Sequence, residues 1–201
     1  MSPAVYAAFQ EICARESIRG PVLEVGTVVG PESLLRLPCL RDVENRVGIN
    51  IEKTVSDDGC RMIEGNANEM TMFADGSFEA VLCNSTLEHD PFFWKTIAEI
   101  HRVTASGGFV VIGVPGFAGM GVDCFARRKS IPGLILRIAA KITRADLLLA
   151  GTPTLGEHFF PSDFYRFTEQ AMREVFLAGF HHISVRKIMN PPRIIGWARK
   201  P

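Results

Sequence analysis

The feature that most constrains this chain is a recurrence of short apolar runs, each closed by glycine or a turn, with helical periodicity between some of them. Val22–Val25 is bounded by glycines, as suits a strand buried on both faces. Arg46–Ile51 and Cys60–Glu64 read as the second and third strands, the third ending at Gly65. Glu79–Cys83 is entered through the turn-like Ala74-Asp75-Gly76-Ser77. Pro91–Val103 then places Phe93, Ile97, Ile100 and Val103 on one helical face. Gly107-Gly108 stops that helix, and Phe109–Val114 is the clearest strand of the chain. This alternation predicts an α/β fold with a doubly wound, mostly parallel sheet covered on both faces.

The flanks complete one domain. Residues 4–18 read as a helix, with Val5, Ala8, Phe9, Ile12 and Cys13 at helical spacing and Gly20-Pro21 ending it. A second helical piece starts at Pro31 and is cut or kinked at Pro38. After Pro115-Gly116 the alternation breaks into a segment over 117–157, rich in glycine, basic and aliphatic residues. A helix resumes over Thr168–Leu177, with Thr168 as its N-cap and Glu169 in the first turn. His182–Ile188 and Arg193–Ala198 flank Pro191-Pro192 and read as an antiparallel C-terminal pair. Residues 1–201 are therefore expected to form a single domain with an insertion at about 117–157.

Charge and cysteine usage exclude some function classes. Lys plus Arg equals Asp plus Glu, 22 against 22, so there is no global field for nucleic acid. Cys13, Cys39, Cys60, Cys83 and Cys124 form no C-x-x-C pair. No metal site or disulfide framework is expected, and a reducing cytoplasm is the simpler setting. Met1-Ser2-Pro3-Ala4 lacks the basic start of a signal peptide. No run reaches the ~18 apolar residues of a membrane span.

Leu23-Glu24-Val25-Gly26-Thr27-Val28-Val29-Gly30 follows the first strand. Aligned from Gly26, the dinucleotide pattern G-x-G-x-x-G meets Gly26, Val28 and Pro31, one match in three. The pattern acidic-x-G-x-G-x-G meets Glu24, Gly26, Val28 and Gly30, three in four. By itself the loop is equally an ordinary strand-to-helix turn. Further along stand Gly65-Asn66-Ala67, Phe73-Ala74-Asp75-Gly76-Ser77-Phe78-Glu79-Ala80-Val81 and Ser85-Thr86-Leu87-Glu88-His89. Glu99-Ile100-His101-Arg102-Val103, Ser106-Gly107-Gly108 and Val111-Ile112-Gly113-Val114-Pro115 complete the series. Over roughly residues 20–116 this series closely resembles the class I S-adenosylmethionine-dependent methyltransferases, in the small-molecule, type 11-like branch, with every motif in the family's order.

The resemblance implies S-adenosylmethionine as cofactor and assigns expected roles. Glu24 is expected near the methionine amino group, and Gly26 under the ligand with Gly30 in the same glycine loop. Asn50 or Glu52 would hold the ribose, Ile51 would pack on adenine, and Asn66-Ala67 would meet the adenine edge. Asn84 and Ser85 would contact the methionine end through backbone groups. Val28, Asn50 and Asn66 depart from the family's glycine and two acids, and all three fall in the cofactor pocket. Val28 is compatible with a ligand that carries no phosphate. A fold-keeping, non-catalytic binding protein is therefore the alternative. A nicotinamide-dependent oxidoreductase is disfavoured by the glycine spacing and by Leu87-Glu88-His89.

Transfer from a sulfonium asks mainly for alignment, plus a base where the acceptor loses a proton. His89 is a candidate base; alternatively Leu87-Glu88-His89 caps the next helix and fixes the loop. His158 and Asp163, with Tyr165 and Arg166, suit an acceptor pocket, or equally a packed aromatic connection with Asp163 paired to Arg166. The insertion carries Arg127, Arg128, Lys129, Arg137, Lys141 and Arg144, with no acid between Asp123 and Asp146. A basic amphipathic helix there suits a cover over the active site, a peripheral membrane contact through 127–149, an acidic partner, or a solvated surface. The acceptor is expected to be a small molecule, of lipid, glycan or natural-product type. Nucleic acid is disfavoured, because Asn84 is followed by Ser85-Thr86-Leu87 and not by the N-P-P-[FY] pattern of base-modifying relatives.

Overall fold

The computed structural model describes residues 1–28, 30–52, 59–117, 162–189 and 191–201. Its centre is one sheet built from β1 (Val22–Val25), β2 (Arg46–Asn50), β3 (Cys60–Glu64), β4 (Phe78–Asn84), β5 (Thr104–Pro115), β6 (His181–Ile188) and β7 (Arg193–Arg199). The strand order is β3-β2-β1-β4-β5-β7-β6. The first five strands pair in parallel, and β7 runs antiparallel to both β5 and β6. The expected doubly wound sheet and antiparallel C-terminal pair are both present.

Alternation along the strands explains the two cores. Leu23, Val25, Val81, Cys83, Val110 and Ile112 face one hydrophobic cluster, and Val22, Ala80, Leu82, Phe109 and Val111 face the other. Helix α1 (Pro3–Ala14) covers the second face with Val5, Ala8, Phe9, Ile12 and Cys13. Helix α2 (Phe93–Val103) covers the first with Ile100 and Val103. Ser2 caps α1, its hydroxyl accepting from the Val5 amide at 3.3 Å, and Pro3 follows where no amide donor is required.

Several elements differ from the sequence reading: Gly107-Gly108 lie within β5, which starts directly after α2 at Thr104 and not at Phe109. Helix α1 ends at Ala14, not at residue 18, because the following chain turns to place the Arg19 and Gly20 amides on the Glu79 carboxylate. The expected helix from Pro31 is absent. Two 3-10 turns, Leu34–Arg36 and Pro38–Leu40, take its place. Leu37 is extended at φ −53°, ψ 131°, as a residue before proline prefers, and Pro38 has no amide to continue a helix. Near the C-terminus Thr168 caps as expected, accepting from the Ala171 amide at 3.0 Å. Glu169–Ala171 then widens into a π-helical turn, Met172–Phe176. Beyond Phe117 the 117–157 insertion lies outside the described residues.

Candidate active site

The strand order reverses at β1, which has β2 on one side and β4 on the other. In open α/β sheets such a reversal opens a crevice at the carboxyl ends of the strands. Gly26 begins the loop there at φ +76°, a left-handed conformation that glycine adopts without strain. A Cβ at this position would also overlap the Thr86 side chain. Thr86 in turn donates its hydroxyl to the Val25 carbonyl at 3.2 Å, so the loops after β1 and β4 close on each other. The Gly26 and Thr27 amides both donate to the Ile49 carbonyl, at 2.9 and 3.2 Å. Gly30 sits at φ +144°, and a Cβ there would meet no atom of the described residues within 4 Å.

Glu24 lies on the α1 face of the sheet, buried beneath the loop that follows β1. The expected place of its carboxylate was beside a methionine amino group. Both oxygens are instead committed to the first 3-10 turn: they accept from the Ser33 hydroxyl at 2.7 Å and from the Leu34 and Leu35 amides at 3.1 and 3.3 Å. The strand's alternation dictates this, since Val25 faces the opposite cluster. Burial dominates the electrostatics and pushes the Glu24 carboxyl up to about 7, although the donors around it act the other way.

The rim after β2 and β3 carries the residues expected on the cofactor side. Asn50 donates through Nδ2 to the Thr27 carbonyl at 2.8 Å, and its Oδ1 accepts from the Glu52 amide at 3.2 Å. The asparagine therefore ties the glycine loop to the end of β2. Ile51 and Val28 stand 72% and 69% exposed among the described residues. Asn66 forms a turn, its Oδ1 accepting from the Asn68 amide at 2.9 Å, and Ala67 packs half-buried on the core. Asn68 carries the connection onward to Asp90 Oδ2 and Thr96 Oγ1, at 2.6 and 2.8 Å.

On the β4 side, Asn84 Nδ2 donates to the Ser85 hydroxyl at 3.0 Å. Ser85 sits at φ +56°, and its amide donates to the Gly113 carbonyl at 3.0 Å. Arg193, the first residue of β7, also donates to the Ser85 hydroxyl and lies 3.5 Å from the fully buried Glu88 carboxylate. Burial holds the Arg193 guanidinium below its usual range, and Glu88 offsets that only in part. The Glu88 carbonyl accepts from the Phe164 and Tyr165 amides at 2.8 and 3.3 Å. Arg193 was not singled out in the sequence, where it reads only as the polar start of an apolar strand.

The expected catalytic residues are placed unequally. His89 Nδ1 lies 3.1 Å from the Ser162 carbonyl. A carbonyl can only accept, so Nδ1 carries the proton and Nε2 the lone pair in the neutral ring. Asp163 is not placed to act as a base: its side chain is 2% exposed, and Arg166 grips both oxygens at 2.5 and 2.6 Å. This is the packed connection weighed above. It is completed by the Phe93 ring, which meets Tyr165 and Phe167 edge-on at 5.1 and 5.2 Å. His158 lies outside the described residues. Among the described residues no three His, Cys, Asp or Glu side chains gather as a metal site requires, and no helix is long and apolar enough to cross a membrane.

The Gly26 turn at the strand-order reversal and the Ser85 turn after β4 stand together on one doubly wound sheet. Residues 33–112 match the family described as "Methyltransferase domain". Three solved structures share the fold. The 1,6-didemethyltoxoflavin-N1-methyltransferase of Burkholderia thailandensis is 17% identical, with a TM-score of 0.62 over 98% of this chain and 78% of its own. The N-methyltransferase NodS of Bradyrhizobium japonicum is 10% identical, with a TM-score of 0.63 over 98% of this chain and 86% of its own. The phosphoethanolamine N-methyltransferase 2 of Haemonchus contortus is 12% identical, with a TM-score of 0.63 over all of this chain and 53% of its own. No curated protein matches the chain. The match over residues 33–112 and the fold shared with these methyltransferases are what the chain has in common with them.

Proposed function

We propose that this chain transfers the methyl group of S-adenosylmethionine to a small-molecule acceptor, of lipid or glycan type, in the cytoplasm. The observation that carries this reading is the crevice itself. The Gly26 loop and the Ser85 turn meet at the strand reversal through Thr86, and exposed Ile51 and Val28 leave an apolar rim beside Asn50. In this reading Ile51 covers the adenine face, Asn50 or Glu52 holds the ribose, and Asn66-Ala67 meets the adenine edge. Gly26 and Gly30 let the backbone pass under the ligand, and Asn84-Ser85 holds the methionine end. Glu24 contributes indirectly, by fixing the turn that follows the glycine loop.

When bound, the cofactor supplies an electrophilic methyl group on a sulfonium. This chain's residues supply placement and proton transfer. Ser85, braced by Arg193 and Glu88, sets the floor between cofactor and acceptor. His89 Nε2 takes the proton that an O–H or N–H acceptor loses as its lone pair bonds to carbon. Tyr165 and Phe93 exclude water from that side, while Asp163 positions Arg166. His158 and the basic stretch 127–149 enter this reading by sequence position alone, the first on the acceptor side, the second as a cover or peripheral membrane contact.

The test is turnover with methyl-labelled cofactor against a panel of amine, hydroxyl and thiol acceptors. Acceptor-dependent release of S-adenosylhomocysteine is expected, and His89→Gln should slow an O–H acceptor by about 100-fold. Cofactor binding with no turnover on any acceptor class would favour the non-catalytic alternative.

A further inference from the structure

Outside the crevice, the face covered by α1 brings two cysteines together that no part of the methyltransferase reading uses. Cys13 lies on the last turn of α1 and is fully buried, whereas Cys39 lies half-buried in the second 3-10 turn. Gln10, one turn before Cys13 on the same helical face, accepts the backbone amide of Cys39 itself at 3.2 Å. Tyr6, one turn further back, donates its hydroxyl to the Arg36 carbonyl at 3.0 Å. These two bonds pin the Leu34–Leu40 region along α1, and both cysteines pack into the same hydrophobic cluster.

We propose that Cys13 and Cys39 are a peroxide-reactive dithiol that closes into a disulfide within the folded protein. The half-buried position of Cys39 makes it the attacking sulfur. Its thiolate attacks one oxygen of a hydroperoxide, the O–O bond breaks, and the sulfur becomes a sulfenic acid while the other oxygen leaves as hydroxide or alkoxide. Cys13 Sγ then attacks the Cys39 sulfur, the S–O bond breaks, and the departing hydroxyl takes the Cys13 proton and leaves as water. One peroxide is reduced and two thiols are oxidised to one disulfide. The electrostatics agree with this order, since the Cys13 thiol beside it lowers the Cys39 thiol, while Cys39 and burial raise Cys13. The bridge would fasten α1 to the turn that follows Ser33 and the Glu24 contacts, coupling oxidation to the loop beneath the glycine crevice.

The experiment treats the folded full chain with hydrogen peroxide, blocks remaining thiols, and maps tryptic peptides without reduction. Cleavage after Arg15, Arg36 and Arg41 releases Cys13 in residues 1–15 and Cys39 in residues 37–41. A linked 1–15/37–41 species is expected, abolished by Cys13→Ser and by Cys39→Ser and unaffected by Cys60→Ser. In Cys13→Ser, Cys39 should instead stop at a trappable sulfenic acid. The bridged protein should melt about 5–10 °C higher than the reduced one. Oxidation of Cys39 to sulfinic acid without the linked species, a bridge to another cysteine, or no cysteine oxidation at peroxide levels that oxidise exposed methionines would each overturn the proposal.

Discussion

Replacing Glu24 by Gln should make the protein more stable at pH 8 and remove much of its pH dependence below neutrality. The carboxyl titrates at about 7 in the folded chain against an ordinary 4.5, because β1, α1 and the first 3-10 turn take it out of water. Between these values the folded chain holds a proton that the unfolded chain has released. Stability therefore falls as pH rises through that window and levels off above it. The difference corresponds to about 3 kcal/mol of stability present below pH 4.5 and lost by about pH 8. A Gln side chain reproduces the protonated acid: its oxygen accepts the Leu34 amide and its nitrogen donates to the Ser33 hydroxyl. The Leu35 amide keeps the Ser33 hydroxyl as partner at 3.2 Å. Urea titrations at pH 5 and pH 8 measure the effect. The variant should match the parent within about 1 kcal/mol at pH 5 and exceed it by about 3 kcal/mol at pH 8. Equal pH slopes for parent and variant would refute the claim that burial of this carboxyl dominates.

Three further outcomes follow from the same geometry. Gly26→Ala forces a left-handed alanine into the Thr86 side chain; thermal melts should show a loss of about 2–4 kcal/mol, and binding of S-adenosylhomocysteine should disappear. Arg193→Met leaves the Glu88 carboxylate buried opposite an apolar group, at a cost of about 3–5 kcal/mol in urea unfolding. The double variant Glu88→Met/Arg193→Met should recover most of it. Asn50→Ala or Glu52→Ala, whichever removes the proposed ribose contact, should weaken S-adenosylhomocysteine binding by about 1–3 kcal/mol in calorimetry; parental binding in both would remove β2 from the proposed site.

The sheet was legible because strand segments buried on both faces are apolar runs, as Val22–Val25 and the Phe109–Val114 part of β5 are. The C-terminal pair was legible for a different reason, since two β-prone pieces around Pro191-Pro192 have no room for a crossover helix. The helix after β1 was misread because its apolar spacing persists through Pro38 while its hydrogen bonds do not. The site divides in the same way. Gly26 and Ser85 announce themselves by motif, but side-chain direction does not. Glu24 fits the acidic position of the glycine pattern, yet strand alternation turns it to the α1 face. Arg193 meets Glu88 only through the antiparallel addition of β7 to β5, a contact with no local signature.

The central claim, that the strand-reversal crevice is a site for S-adenosylmethionine, is tested most directly by ligand-dependent thermal stability. A ligand that binds only the folded chain must stabilise it, by about 2.7 kcal/mol at a hundredfold excess over Kd, and so raise its melting temperature. S-adenosylhomocysteine should shift the parent upward, leave Gly26→Ala unmoved relative to its own baseline, and leave NAD without effect on either. A shift with NAD and none with S-adenosylhomocysteine would contradict the assignment of the crevice.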